Sequence, residues 1–184
     1  MLQAEIGSAK VTADASLPTR GHLMPDFTLS SSDDKQVSLY DYRGRCNLVL
    51  FFAGRTKDST DSPLLSALAK RCGEIAETDS EVVVVLAESV AQADEFRRMI
   101  HFPVSVLSDP DMRVHNMVGA CGAQAVLGAA LYITDRFLEV FAVWRTGTGD
   151  CLPDVTSSRS ATASACRSVT AIAVLTPPSI GRRC

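Results

Sequence analysis

Two short apolar runs constrain this chain more than any other feature: Asn47-Leu48-Val49-Leu50-Phe51-Phe52-Ala53, and Glu81 to Ala87 with valine at every position from Val82 to Val85. Each is too short for a typical helix and shows no polar alternation, which fits a strand buried on both faces. Between them, Ser62 and Pro63 supply an N-cap and a first helical residue. Leu64, Leu65, Leu68, Cys72, Ile75 and Ala76 then recur on one helical face. A strand, a covering helix and a second buried strand make a crossover unit, and the two strands of such a unit run parallel. The chain is therefore of the α/β class, with Cys72 read as a small buried residue of the helix face and Cys46, just before the first run, read the same way.

The flanking sequence extends this unit in both directions. Phe27-Thr28-Leu29 and Val37-Ser38-Leu39 alternate on either side of the turn-like Ser30 to Gln36, which predicts a small N-terminal hairpin. Ser89 with Gln92 resembles a capping box opening a helix that buries Ala93, Phe96 and Ile100 and stops before Pro103. A short strand, Val104 to Leu107, follows, and Asp109-Pro110 starts a helical turn ending at Gly119. Ala130 to Thr134 and Val140 to Trp144 read as two strands around Asp135-Arg136, with Phe141 and Trp144 packing on the sheet or, at an edge, on a second copy. The order is hairpin, βαβαβα, hairpin. Residues 1–20 read as a flexible arm, 21–155 as one domain and 156–184 as a separate tail.

Composition narrows the function classes. With 184 residues, 46% of them hydrophobic, the chain can bury one sizeable core. A formal charge of -3 and a pI near 5.6, with no Lys and Arg run interleaved with aromatics, argue against nucleic acid as a partner. No apolar run reaches the ~18 residues needed to span a bilayer, and the opening shows no basic start followed by an apolar stretch, so a cytoplasmic protein without membrane contact is expected. The six cysteines, at 46, 72, 121, 151, 166 and 184, form no Cys-x-x-Cys pair and read as reduced thiols. His22, His101 and His115 have no zinc-like spacing to one another or to cysteine, so neither a metal nor a cofactor is expected.

Four stretches carry a resemblance to a known family: Met24-Pro25-Asp26-Phe27-Thr28-Leu29, Val37 through Arg45, Asn47 through Phe52, and Phe102-Pro103-Val104-Ser105-Val106-Leu107-Ser108-Asp109-Pro110-Asp111. Together with the order of elements, they resemble the alkyl hydroperoxide reductase C / thiol-specific antioxidant proteins, the peroxiredoxin-like redoxins. The resemblance implies a thioredoxin-like fold with a central mixed sheet flanked by helices. It also implies an antioxidant oxidoreductase working on a small peroxide with a thiol reductant, and a possible homodimer. In that family the first buried strand runs into a loop with proline, threonine and a peroxidatic cysteine at the next helix start. A thiol, whose ordinary pKa is about 8.5, is made more reactive there by the helix N-terminus and an arginine. Here the segment from Phe52 to Pro63 holds no cysteine: Gly54 stands where the proline is expected, and Asp61 where the cysteine is expected. The family's second arginine should precede Leu131-Tyr132-Ile133, where this chain has Gly128-Ala129-Ala130.

Cysteine peroxidase chemistry of the usual kind is thus not expected, and a non-catalytic thioredoxin-fold binding or dimerisation module is the rival reading. Of the remaining thiols, Cys121 in Gly119-Ala120-Cys121-Gly122 reads as the most accessible, and Cys151 beside Pro153 is similar. Arg55, Thr56 and Lys57 are candidates for holding a small anion near the helix start. The tail has four arginines and no acidic residue, a net +4 against -7 for residues 1–155. Either it is a disordered appendage or its reading frame or exon has diverged, and Val169, Ile172 and Leu175 make only a faint helical stripe in it.

Overall fold

The first apolar run forms the strand on which the sheet is built. The computed structural model describes residues 17–55, 63–100, 104–121 and 128–146, and in it this strand, β3, spans Asn47–Ala53 as the sequence predicts. Before it come β1 (Thr28–Ser31), β2 (Gln36–Ser38) and a 3-10 turn over Leu39–Tyr42. After it come α1 (Pro63–Ala76), β4 (Ser80–Leu86), α2 (Val90–Ile100), β5 (Ser105–Ser108), α3 (Arg113–Met117), β6 (Ala130–Thr134) and β7 (Val140–Arg145). Of the arm read over residues 1–20, residues 1–16 lie outside the described residues, as do the proposed cap Ser62 and everything from residue 147.

The strands form one seven-stranded sheet in the order β2-β1-β5-β4-β3-β6-β7. β3 and β5 each pair parallel with β4, as the crossover argument requires, whereas β6 runs antiparallel to β3 and β7 antiparallel to β6, so the sheet is mixed. The N-terminal hairpin joins the same sheet because β1 pairs antiparallel with β5, Ser30 opposite Ser108 and Ser31 opposite Leu107. That pairing carries β1 two residues beyond Leu29, an extension that local alternation does not reveal. Leu39, read as strand, instead opens the 3-10 turn. Ser38 caps that turn by accepting from the Tyr40 N–H, while the Asp41 side chain accepts from the Ser38 N–H. At α2, Gln92 accepts from the Ser89 N–H, but the Ser89 hydroxyl donates to Gln92 rather than capping the backbone, so only half of the capping box forms.

Strand alternation sorts the core into two layers. Leu48, Leu50 and Phe52 face Met24, Phe27, Val114, Val118 and Tyr132. Val49, Phe51 and Ala53 face Leu64, Leu65 and Leu68 of α1 and Ala93 and Phe96 of α2. Trp144 is half-buried and packs on this second layer, and Phe141, also half-buried, lies under the Arg20 guanidinium at 5.1 Å from its ring centroid.

A buried arginine closes the domain. Arg145, 6% exposed, donates from Nε to the Val118 carbonyl at 3.1 Å and to the Tyr132 hydroxyl at 2.9 Å, and from Nη2 to the Tyr132 hydroxyl and the Pro18 carbonyl. Gly119 sits against this cluster with φ +70, where a Cβ would come within 2.7 Å of a Leu17 methyl and 3.3 Å of Arg145 Nε. A side chain there would strain both the backbone and the packing.

Phe52 is fully enclosed, with edge contacts to Phe27 (6.2 Å between centroids), Tyr132 (5.9 Å) and His115 (5.7 Å). Phe52→Ala should therefore cost about 3–5 kcal/mol in a urea melt, and a loss under ~1 kcal/mol would show that this layer collapses around the gap.

Candidate functional site

The three parallel strands finish together at one end of the sheet, and the polar side chains that meet there are Asp109 and His115. β5 ends at Ser108, and the next residue is tied to its neighbour strand by its own backbone: the Asp109 N–H donates to the Leu86 carbonyl at 2.8 Å. A tight turn through Met112, held in the left-handed region at φ 54, then launches α3. The Asp109 carboxylate satisfies the start of that helix, Oδ2 accepting from the N–H groups of Val114 and His115, each at 2.9 Å. The same oxygen meets Nδ1 of the His115 ring at 2.7 Å, and the far side of the ring, Nε2, meets the Ala53 carbonyl at 3.0 Å. Both side chains are enclosed, at 0% exposure for His115 and 3% for Asp109.

The protonation pattern follows from the partners. A carbonyl can only accept, so Nε2 donates to Ala53. An oxygen already accepting two backbone N–H bonds is an acceptor for Nδ1 as well. Burial pushes the Asp109 carboxyl up, but the bonds from the His115 ring and from the His115 and Val114 backbone outweigh it and hold the group below the usual carboxylate range. The pair is a built contact whose ring has no face open to a ligand. It orients the strand ends rather than reacting.

The residues proposed from sequence distribute around this end unevenly. Arg55, exposed, lies two residues past the end of β3. Thr56, Lys57 and Asp61 fall outside the described residues, as does Cys151. Cys121 follows α3, whose last turn is closed by a bond of 2.8 Å from the Ala120 N–H to the His115 carbonyl. Cys121 is half-buried, but so are Cys46 and Cys72, so exposure does not single it out, and Cys72 is not the enclosed core residue that its helix face suggested. Burial pushes the Cys121 thiol up, and the Asp109 carboxylate adds to the rise, the opposite of what an activated thiol needs. Gly128-Ala129-Ala130 leads into β6, with Ala130 opposite Phe52. No group of three His, Cys, Asp or Glu among the described residues could hold a metal ion.

Sequence reasoning missed His115 and gave Asp109 only a place in a turn. A helix of five residues is too short for a periodic pattern to mark one of its positions as buried. The usable signal was the acid placed before a short helix, spaced to cap its first N–H groups.

A carboxyl held below its unfolded value of about 3.9 contributes stability that is complete above that value and lost as pH falls through the lower, folded one. Stability measured from about pH 6 down to about pH 2 should therefore fall more steeply in the parent than in Asp109→Asn, which should start ~1–3 kcal/mol less stable. Parallel acid limbs would mean that Asp109 carries none of the acid sensitivity.

Residues 20–142 match the AhpC/TSA family. A protein of Mycobacterium tuberculosis that bears the name peroxiredoxin is 31% identical over 115 residues, covering 60% of this chain and 69% of its own length. Peroxiredoxin Q, chloroplastic, of Oryza sativa subsp. japonica is 28% identical over 103 residues, covering 55% of this chain and 46% of that protein. Among solved structures, peroxidoxin BcpB of Mycobacterium tuberculosis aligns with a TM-score of 0.63 at 20% identity, over 70% of this chain and 86% of that one. AhpC of the same organism aligns with a TM-score of 0.62 at 20% identity, over 72% and 89%. These two likenesses establish the thioredoxin-like peroxiredoxin fold, and with the match over residues 20–142 the chain belongs to the AhpC/TSA family of peroxiredoxin-like redox proteins.

Proposed function

We propose that this chain is a peroxiredoxin-class redox protein in which the junction between β3 and α1 no longer supplies the peroxide-reducing thiol. The observation that carries this reading is that β3 ends at Ala53 and α1 begins at Pro63 in the family's order, yet no cysteine occurs between Cys46 and Cys72. Asp61, which we place at the family's cysteine position, cannot form a sulfenic acid, because that step needs a thiolate to attack the peroxide O–O bond. Gly128-Ala129-Ala130, where the family's second arginine is expected, adds no cation.

Any oxidation by a small peroxide then falls to another thiol, with Cys121 and Cys151 as candidates and a soluble thiol as reductant. Arg55, Thr56 and Lys57 remain the proposed anion contacts, and the β7 edge the proposed surface for a homodimer. No described helix is long and apolar enough to cross a membrane, and we take the cytoplasm as the compartment. A specific observation favours the second reading, a binding or dimerisation module without catalysis: the Cys121 thiol is pushed up rather than down.

Steady-state hydroperoxide reduction with thioredoxin or glutathione as donor should be negligible, and turnover comparable to that of a working peroxiredoxin would overturn the proposal. Intact-mass measurement after hydrogen peroxide, with and without a sulfenic-acid trap, separates the two readings. A trapped adduct on Cys121 or Cys151 marks a redox protein with a displaced thiol. A chain that stays unmodified marks a module.

A further inference from the structure

The His115 contact has a role that neither capping nor core packing accounts for. Among the described residues, β3 has its last β6 partner at Phe52, opposite Ala130, and Ala53 is paired with Leu86 of β4 alone. Beyond that point the chain leaves the sheet. At this position the Ala53 carbonyl receives the His115 Nε2–H at 3.0 Å, from a ring that is fully buried and fixed at its other nitrogen by Asp109 at 2.7 Å. Asp109 is in turn bonded through its own N–H to the carbonyl of Leu86, the residue opposite Ala53. The ends of β3, β4 and β5 thus close into a single circuit: Ala53 carbonyl, His115 ring, Asp109 carboxylate, Asp109 N–H, Leu86.

We propose that His115 is a positioning residue for the exit of β3, fixing the Ala53–Gly54 peptide from α3 so that the direction in which the chain leaves the sheet is set outside the segment that follows. The inference rests on the reading above only in treating this end of the sheet as the functional end. A buried imidazole needs a partner at each ring nitrogen, and partners on its own element alone would hold the ring without tying it to β3. Here both ring nitrogens are engaged, each to a different element, and the Phe52 ring meets the imidazole edge-on at 5.7 Å, which restricts its rotation. Ala53 lies immediately before Gly54, whose own amide belongs to the fixed peptide. A carbonyl held in this way leaves Gly54 little freedom to reorient without breaking a bond inside the core.

The experiment is solution NMR on the full chain. In the parent, the His115 Nε2 proton should be visible, should show a cross-relaxation contact to Ala53 or Gly54, and should exchange with solvent slower than a free imidazole by on the order of tenfold or more. His115→Phe keeps a ring beside Phe52 and removes both donors. In that variant the Ala53 carbonyl carbon should move towards the position of an unbonded carbonyl. Asp109→Asn keeps an acceptor but no charge, and should speed exchange of the Nε2 proton by about tenfold. Val118→Ala, which thins the same core layer, serves as the control for lost stability alone and should leave the Ala53 carbonyl resonance where it is. An Ala53 carbonyl that moves equally in Val118→Ala and His115→Phe, or that moves in neither, overturns the proposal. If His115→Phe does not fold, the parent spectrum decides: no slowly exchanging Nε2 proton means that His115 does not hold the Ala53 carbonyl, and the proposal is overturned. Peroxide turnover plays no part in these readouts, so this proposal and the one on function fail separately.

Discussion

The described residues are arranged around a strand that solvent scarcely reaches beyond its first residue. β3 has neighbours on both edges and core layers on both faces, and from Leu48 to Ala53 its residues are at most 2% exposed. A buried peptide group must be bonded somewhere, because leaving it unpaired costs as much as a lost hydrogen bond. Along most of β3 the ladders to β4 and β6 meet this requirement. Where the β6 ladder stops, a side chain takes over for the Ala53 carbonyl, and a buried carboxylate has to be placed to hold that side chain. The Asp109–His115 pair is thus the continuation of the sheet's hydrogen bonding by other means.

How much of this the amino-acid pattern disclosed depends on how local the cause is. Asn47–Ala53 and the valine run were legible because complete burial writes itself into consecutive residues, and the intervening helix because its stripe repeats over 14 residues. The pairing of β1 with β5 was not legible, since Ser30 and Ser31 look like turn residues until β5 lies beside them. The same holds at the site. The missing thiol of the β3–α1 segment can be read from one line of sequence, whereas the engagement of His115 with Ala53, 62 positions away, depends on three elements meeting.

The electrostatics of this end of the sheet also differ from those of a thiol site. A working thiolate needs nearby positive potential. Here the anion of Asp109 is spent on a helix start and an imidazole, and what field it projects onto Cys121 disfavours a second anion. The family's fold is retained in its β-strand order, and among the described residues the polar contact at the strand ends is a structural one. Fold and reactivity are separable in this way because the sheet needs its core, and the reaction needs only a few side chains at one edge.

The bond from Arg145 to the Pro18 carbonyl joins the beginning of the described chain to the end of its last strand. Residues 18 and 145, 127 positions apart in sequence, therefore lie side by side. The described segment from residue 17 to residue 146 is thus close to a ring, a geometry in which its two ends can be joined by a short connector and a new opening cut at an exposed turn elsewhere. For the same reason, segments fused before Leu17 and after Thr146 start from adjacent anchors, and each is at high effective concentration for the other.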